Sequence, residues 1–429
     1  MLSRILLCLL SLAHVAFAQH VFAHWMLAEA YSFTQNDWEN DISSARSIGI
    51  DGFALNMNAN DYEASRLVDA YAAAATFSNP DFKLFISFDM SYSWSVSGMV
   101  SIVTAHADSP AQYEWNDKVL VSTYSGDTGS YGNVDFWSGF KSNLANQGVS
   151  ISLAPAFTTY RDPNLASKLL STYPSIDGFM NWWSWPNDIL ANLTTDTDVA
   201  YQKAISQRTG PYIMGVSPWW YKDLSADQNW GLSTQIRSRI ICGSKPVHLV
   251  VFEYMSLVQV KPDIVEIITW SGCGESHYIA DLNPNINIGN ATYVDGQDHA
   301  PWRKVAQYYN SWYKTGTQPT ITNPKSAVCA GGITSAPRNA NFPADEVFAL
   351  TMVTSDAMIT LDISSSHSEF TAHSNQVSMG SVPFPVEDSQ IPYIQIPRNS
   401  VKVKDGYGSI FVEKTCTEYN FNPFVGIVV

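Results

Sequence analysis

Eight short β-rich runs recur between Val21 and Trp270, and between most of them the chain shows helical spacing. The runs are Val21–Leu27, Gly52–Met57, Lys83–Phe88, Val119–Thr123, Ser150–Ala154, Gly178–Trp183, Tyr212–Val216 and Ile264–Trp270. Strand and helix in alternation require parallel strands joined by crossovers. Eight units over roughly 250 residues suit a (β/α)8 TIM barrel rather than an open doubly wound sheet. Trp38, Ile42, Ala45 and Ile48 recur at helical spacing before Gly49, and Leu67, Val68, Ala70, Tyr71 and Ala74 do so after the second strand. Trp302, Val305, Tyr308, Tyr309 and Trp312 form a stripe closed by Gly316, which reads as barrel packing. The beat falters over 233–259, where an extra apolar run, His248 to Tyr254, interrupts the crossover.

Past the barrel the composition changes. Residues 317–336 are rich in Pro, Thr, Gly and Ala and read as a linker. The runs Val347–Val353, Met358–Ile363, Tyr393–Ile396 and Ser409–Val412 follow, separated by turn residues, so 337–429 is expected to be a small antiparallel β-sandwich. The barrel then occupies 19–316.

The first 18 residues have Arg4, an apolar run from Ile5 to Leu10 and a small-residue ending at Ala16-Phe17-Ala18, the pattern of a secretory signal peptide. That run is too short for a membrane span. Export permits disulfides among Cys242, Cys273, Cys329 and Cys416, with Cys329–Cys416 preferred because both lie in the C-terminal region. Asn192 and Asn290 begin glycosylation sequons. A net charge of -15 argues against nucleic acid or an anionic membrane as partner, since both select basic patches. Fourteen Trp and 21 Tyr fit a neutral polysaccharide with flat apolar ring faces, although most of them will fill the core.

Barrel enzymes keep their chemistry at the carboxyl ends of the strands. There this sequence places Asp61, Asp89, Asp127, Asp188, Asp223 and Glu275, with Trp25, Trp182, Trp183, Trp185, Trp219, Trp220 and Trp270 on or near the same rim. Paired acids beside indole faces are what glycoside cleavage uses: one carboxyl protonates the leaving oxygen and a second acts at the anomeric carbon or on water. Asp61 has a competing reading as a helix N-cap, and Asp127 and Asp188 as turn formers. Glu275, in the Gly-flanked turn after the eighth strand, and Asp89, in SFDMS, are the stronger candidates. His24 lacks a His-x-His partner, and no catalytic metal or other cofactor is expected.

Several separated blocks resemble the fungal α-1,3-glucanases (mutanases) of glycoside hydrolase family 71: VFAHWM, GIDGFALNMN, FKLFISFDMS, DGFMNWWSWP, GVSPWWY, PDIVEIITW, GESHYI and YVDGQDHAPW. The resemblance implies a secreted barrel enzyme with a C-terminal β domain, acting on the α-1,3-glucan of fungal walls; a monomer is expected. The resemblance carries the family's catalytic Glu onto Glu275, and the strand-end carboxylates Asp61 and Asp89 complete the catalytic candidates. His24, Trp25, Asn56, Asn181, Trp182, Trp183, Trp219, Trp270, His277 and Tyr278 become the candidate sugar contacts. One departure is prominent. The family pattern Trp-Asn-Asp-aromatic-Gly-Glu-Ser is Trp270-Ser271-Gly272-Cys273-Gly274-Glu275-Ser276 here, so the Glu carries over and the Asp does not. An alternative role as a catalytically impaired glucan-binding wall protein follows from that gap.

Overall fold

The computed structural model describes residues 19–78, 81–185, 193–220, 258–289, 294–331, 346–385, 390–398, 401–412 and 422–428. The expected signal peptide, Asp188, Asp223, Cys242, Cys416, the sequon asparagines Asn192 and Asn290 and nearly all of the irregular stretch at 233–259 lie outside these residues, as does the Cys329 side chain.

Eight parallel strands form one sheet: β1 His20–Met26, β2 Gly52–Met57, β3 Lys83–Asp89, β4 Val119–Tyr124, β5 Ile151–Ala156, β6 Phe179–Asn181, β7 Tyr212–Val216 and β8 Ile264–Ile267. Their order, β5-β4-β3-β2-β1-β8-β7-β6, places the first strand beside the last. Between β5 and β6 the backbone N–H groups of Asp177 and Gly178 donate to the Leu153 carbonyl at 2.9 and 3.0 Å, which brings the sheet close to closure as a barrel. The helices are α1 Gln35–Ser47, α2 Glu63–Ala74, α3 Val96–His106, α4 Val134–Asn146, α5 Ala166–Thr172, α6 Asp196–Ile205 and α7 Trp302–Thr315.

Successive strand residues face opposite ways, so each strand divides into a lumen set and a helix-facing set. On β1, Phe22 and His24 point inward while Val21, Ala23 and Trp25 pack outward among the helices. The lower lumen is apolar: Phe22 lies edge-on to Phe85 and Tyr113, with ring centroids 4.9 and 4.7 Å apart. Gly52 is required here, because a Cβ on it would stand 2.0 Å from the Lys83 carbonyl oxygen and 2.3 Å from the Phe22 ring.

The outer layer follows from local sequence. Thr34 and Asp37 form a capping box that starts α1, and Gly49 at φ +81° follows its end. On α7 the aromatic stripe is buried as expected, and the Gly316 N–H, at φ +67°, returns to the Trp312 carbonyl at 2.8 Å. Tyr308 of the stripe also donates to the Asn375 carbonyl at 2.6 Å, which ties the barrel to the second domain.

That domain has two four-stranded antiparallel sheets. One is built from β13 Val377–Pro383, β10 Glu346–Met352, β9 Lys325–Gly331 and β16 Phe424–Val428, the other from β12 Ser366–Ala372, β11 Ala357–Ile363, β14 Tyr393–Arg398 and β15 Val401–Tyr407. Two expectations need correction. The segment 317–336 contains β9, paired to both β10 and β16, so it is not wholly a linker. Ser409–Val412 is not a strand and makes only an isolated bridge from Val412 to Gln390, while the neighbouring, more polar β15 is. Replacing Gly52 by Ala should destabilise the barrel by about 1–3 kcal/mol through overpacking, read as a lower denaturant midpoint with unchanged slope.

Candidate active site

The polar groups of the lumen begin one layer above the aromatic floor. The fully buried His24 Nδ1 lies 2.6 Å from Glu266 Oε1, and the His24 ring stands edge-on to Trp182 at 4.9 Å. Asn56, on β2, shares this layer with Ser87, its neighbour in register on β3. Above it, Asp89 ends β3 and Tyr124, its register partner, ends β4. Asp89 Oδ1 accepts from the Ser91 N–H at 2.9 Å and the Ser91 hydroxyl at 2.6 Å.

After β8 the chain folds back on itself, with the Thr269 N–H bonded to the His277 carbonyl at 2.9 Å and the Ala280 N–H to the Trp270 carbonyl at 2.9 Å. The enclosed turn is a single 3-10 segment, Cys273–Glu275, ended by Ser276 in the left-handed region at φ 59°. Three contacts hold it to the first strand: the Trp270 N–H donates to the His24 carbonyl at 2.7 Å, the Met26 N–H to Ser271 Oγ at 2.9 Å, and the Cys273 N–H to Glu29 Oε1 at 2.9 Å. The turn presents Glu275, half-buried, close enough to Asp89 for its charge to act there. Burial foremost, and then the charge of Glu275, hold the Asp89 carboxyl above its ordinary range, against the Ser91 hydrogen bonds and the His24 ring. Burial likewise pushes the Tyr124 hydroxyl up to about 12, with Asp89 and Glu275 adding to it. Asp89, Tyr124 and Glu275 therefore occupy one mouth.

Indoles wall that mouth. Trp182 lies edge-on to Tyr124 at 4.9 Å, and Trp185 stacks on Trp220 at 5.8 Å and on His277 at 6.0 Å. The Arg161 guanidinium sits 4.4 Å over Trp183 and donates to the Trp185 carbonyl, fixing two indoles with one cation. Trp219 is nearly buried, its carbonyl accepting from Ser217 Oγ at 2.8 Å. Around the rim, on the β1 and β3 loops, Tyr31 and Tyr92 are exposed, and Tyr31 lies edge-on to Tyr62 at 5.0 Å.

Of the sequence-derived candidates, Glu275, Asp89, His24, Asn56, Trp182, Trp183, Trp219 and His277 are brought to this end of the barrel. The others are corrected by the strand pleat or by local turns. Trp25 faces α1, donating to Asp41 Oδ2 at 2.9 Å and packing on Trp38, and Trp270 is fully buried beside Phe53. Asn181 faces α6, where its amide donates to Asp198 at 2.8 Å. Tyr278 stacks on His299 at 4.0 Å and contacts Asn422, in the seam with the C-terminal strand. Asp61 is exposed on the turn before α2 and is not its N-cap, which is Tyr62.

Two residues beyond Asp61, Glu63 turns inward with no exposure. It accepts from the Asn58 N–H and the Asn60 amide, each at 2.6 Å, and burial pushes it up to about 7. Glu29, Glu63 and Glu266 are the carboxyls that the sequence reading missed. The one available signal was Glu266, a charge inside an otherwise apolar strand. Among the described residues no three His, Cys, Asp or Glu side chains gather as a metal-binding group, and no helix is long and apolar enough to cross a membrane.

Burial raises Glu29 to about 8, Asp41 to about 7 and Glu63 to about 7, whereas the unfolded chain titrates them near 4.5, 3.8 and 4.5. Between those limits the unfolded state holds fewer protons than the folded one, so stability falls as pH rises. Asp37 acts oppositely: despite the cost of burial, hydrogen bonds from Asn283, Thr34 and Asn285 lower it to about 2, so its contribution is lost as pH drops below 3.8. Burial lowers His299 to about 4, which adds stability as pH rises from about 4 to 6.5 and offsets part of the carboxyl loss, so the melting temperature should fall from about pH 5 to about pH 8, more steeply above about pH 6.5, measured by calorimetry across that range.

Comparison with known proteins places the chain in a family. The family model described as Glycosyl hydrolase family 71 matches residues 17–429. The chain is 32% identical over 424 residues to the glucan endo-1,3-alpha-glucosidase agn1 of Schizosaccharomyces pombe, covering 95% of this chain and 94% of that protein. It is 28% identical over 438 residues to a mutanase of Penicillium rubens, covering 95% and 88%. A solved GH99 endo-alpha-mannosidase from Bacteroides thetaiotaomicron shares the fold, with a TM-score of 0.50 at 12% identity over 69% of this chain and 98% of that one. The chain therefore belongs to glycosyl hydrolase family 71 and is a glycoside hydrolase.

Proposed function

We propose that this protein is a secreted, endo-acting α-1,3-glucanase that cleaves fungal cell-wall α-glucan by paired-carboxylate acid/base catalysis at the mouth between Asp89 and Glu275. The observation that carries the reading is the placement of these two acids on neighbouring parts of one rim, each within the other's field, beneath a wall of indoles. The names of the relatives at 32% and 28% identity support α-1,3-glucan as the substrate, and the first 18 residues support export. The protein is read as a monomer that takes no cofactor.

Asp89 fits the task left by Gly272. A carboxyl whose proton affinity is raised by burial and by a neighbouring negative charge is the better suited of the two to protonate a leaving glycosidic oxygen. Glu275, half-exposed, is its partner at the anomeric carbon or its attacking water. Asp61 is too exposed to share in proton transfer. Aromatics lie around the mouth, Tyr31 and Tyr92 exposed and Trp183 and Trp220 half-buried, and suit a long chain lying across it, as internal cleavage requires.

Reducing-sugar release from insoluble α-1,3-glucan tests the reading. Glu275→Gln and Asp89→Asn should each lower the rate by about 10²- to 10⁴-fold while leaving sedimentation with the glucan intact. Binding by the parent protein without release would support the other reading, a glucan-binding wall protein impaired at Gly272. Gly272→Asp should give no large gain in either case. A Cβ there would lie 2.4 Å from His277 Cε1 and 2.5 Å from Thr269 Oγ1, so the added carboxylate displaces the His277 ring instead of filling an empty place.

A further inference from the structure

Among the buried carboxyls near the mouth, Glu29 is set apart by what it touches. It ends the short 3-10 turn Leu27–Glu29 that follows β1, and its backbone is fixed by the Asn287 N–H, which donates to the Glu29 carbonyl at 2.8 Å. Its Oε1 accepts from the Cys273 N–H at 2.9 Å, the first N–H of the segment that ends in Glu275. Its Oε2 is buried, and the carboxyl also takes hydrogen bonds from the Ser271 side chain and the Gly274 N–H. At Gly272, one residue before that contact, the chain supplies no carboxyl of its own.

We propose that Glu29 is a positioning residue of the hydrolytic site: it clamps the 272–275 turn through the Cys273 N–H and serves as the second carboxyl of that turn, beside Glu275. The proposal rests on the glucanase reading above for its effect on turnover, but the clamp itself is a property of the fold. The ionisable groups that face Glu29 are Glu275 and Cys273 across the turn and Tyr62 from the β2 loop, with Asp41 acting on Cys273 from α1. None of these is cationic. Burial, with Glu275 adding to it, therefore keeps Glu29 in its neutral form up to about pH 8, against the hydrogen bonds from Cys273, Ser271 and Gly274. In that form the clamp adds no charge to Glu275. Above it, a second negative charge enters the turn with no counter-ion, and Glu275 is no longer held in the same field.

Two variants separate charge from shape. Glu29→Gln keeps an acceptor for the Cys273 N–H and removes the ionisation, while Glu29→Ala removes both. The first readout needs no activity: Cys273 is a buried free thiol, and its alkylation by a maleimide at fixed pH, followed by mass spectrometry of the peptide that contains it, reports opening of the turn. Glu29→Ala should speed this labelling by about tenfold or more, since a buried N–H loses its acceptor, and Glu29→Gln should change it little. The second readout is the pH profile of glucan cleavage. The parent's decline near pH 8 should be missing in Glu29→Gln, with the acid limb unmoved. Glu29→Ala should lower kcat about tenfold or more with KM within about twofold. Equal labelling of Cys273 in all three proteins would overturn the clamp whether or not any of them is active, and a decline near pH 8 that survives in Glu29→Gln would overturn the role of its charge. If the parent releases no sugar, the glucanase reading fails while the labelling result still decides the clamp.

Discussion

The parallel ladder between β1 and β8 places His20 opposite Ile264, Phe22 opposite Glu266 and Ala23 opposite Ile267, and so joins residues about 240 positions apart in the chain. Because parallel strands in register end at the same level, whatever follows β1 must meet whatever follows β8. The contacts bear this out in sequence up the barrel: His24 with Glu266, His24 with Trp270, Met26 with Ser271 and Glu29 with Cys273. The position of Glu275 is thus set by strand pairing and not by the eighth unit alone. A shift of either strand by one residue would turn its member of the His24–Glu266 pair toward the helices and leave both buried polar groups unpaired, which is why the register is strongly specified.

Above that ladder the lumen grades from aromatic to charged. Phe22, Phe85 and Tyr113 seal the lower end, so Asp89 and Glu63 sit over an apolar floor. In such surroundings the neutral form of a carboxyl is favoured, because a charge taken out of water loses its hydration and gains little in return. The same burial raises the proton affinity of Asp89 and lifts Glu63 to about 7, a shift toward the acid form that glycoside cleavage uses in one of its pair. Stability and chemistry therefore draw on the same protons, and both favour mildly acidic conditions.

Much of the architecture was legible because alternation of strand and helix is a property of composition over many residues. The ends of β2 and β7 match the sequence reading, and those of the other strands differ from it by a few residues at most. The sandwich was harder: β12, SHSEFTA, and β13, VSMGSVP, have too little apolar content to stand out, and their hydrogen bonding to β11 and β10 is what makes them strands. At the site, the losses concern which way a side chain faces. Trp25 and Asn181 lie at the barrel's rim in sequence but face outward by the parity of the pleat, whereas Trp270 lies past the end of β8 and is turned outward by the chain that follows the strand. Asp61 and Glu63 are two residues apart on a turn into a helix, and nothing in DYEASRL reveals which carboxyl turns in. Glu29 became visible only when the strand ends were brought level, since its partner Cys273 lies 244 residues away.

Gly272 gains meaning from the same geometry. The space a side chain would take there is filled by the His277 ring, itself bonded to Thr269 Oγ1 at 3.0 Å and stacked on Trp185. A carboxylate at this position and a histidine packed in this way exclude each other, so the glycine is part of how the indole wall is supported and not a simple deletion from an otherwise unchanged site. The acids that remain, Glu275 on the turn, Glu29 beneath it and Asp89 across from it, come from three different strand ends. A (β/α)8 barrel tolerates such redistribution because every strand delivers its last residues to the same face, and only the relative placement of charges at that face matters to the bond being broken.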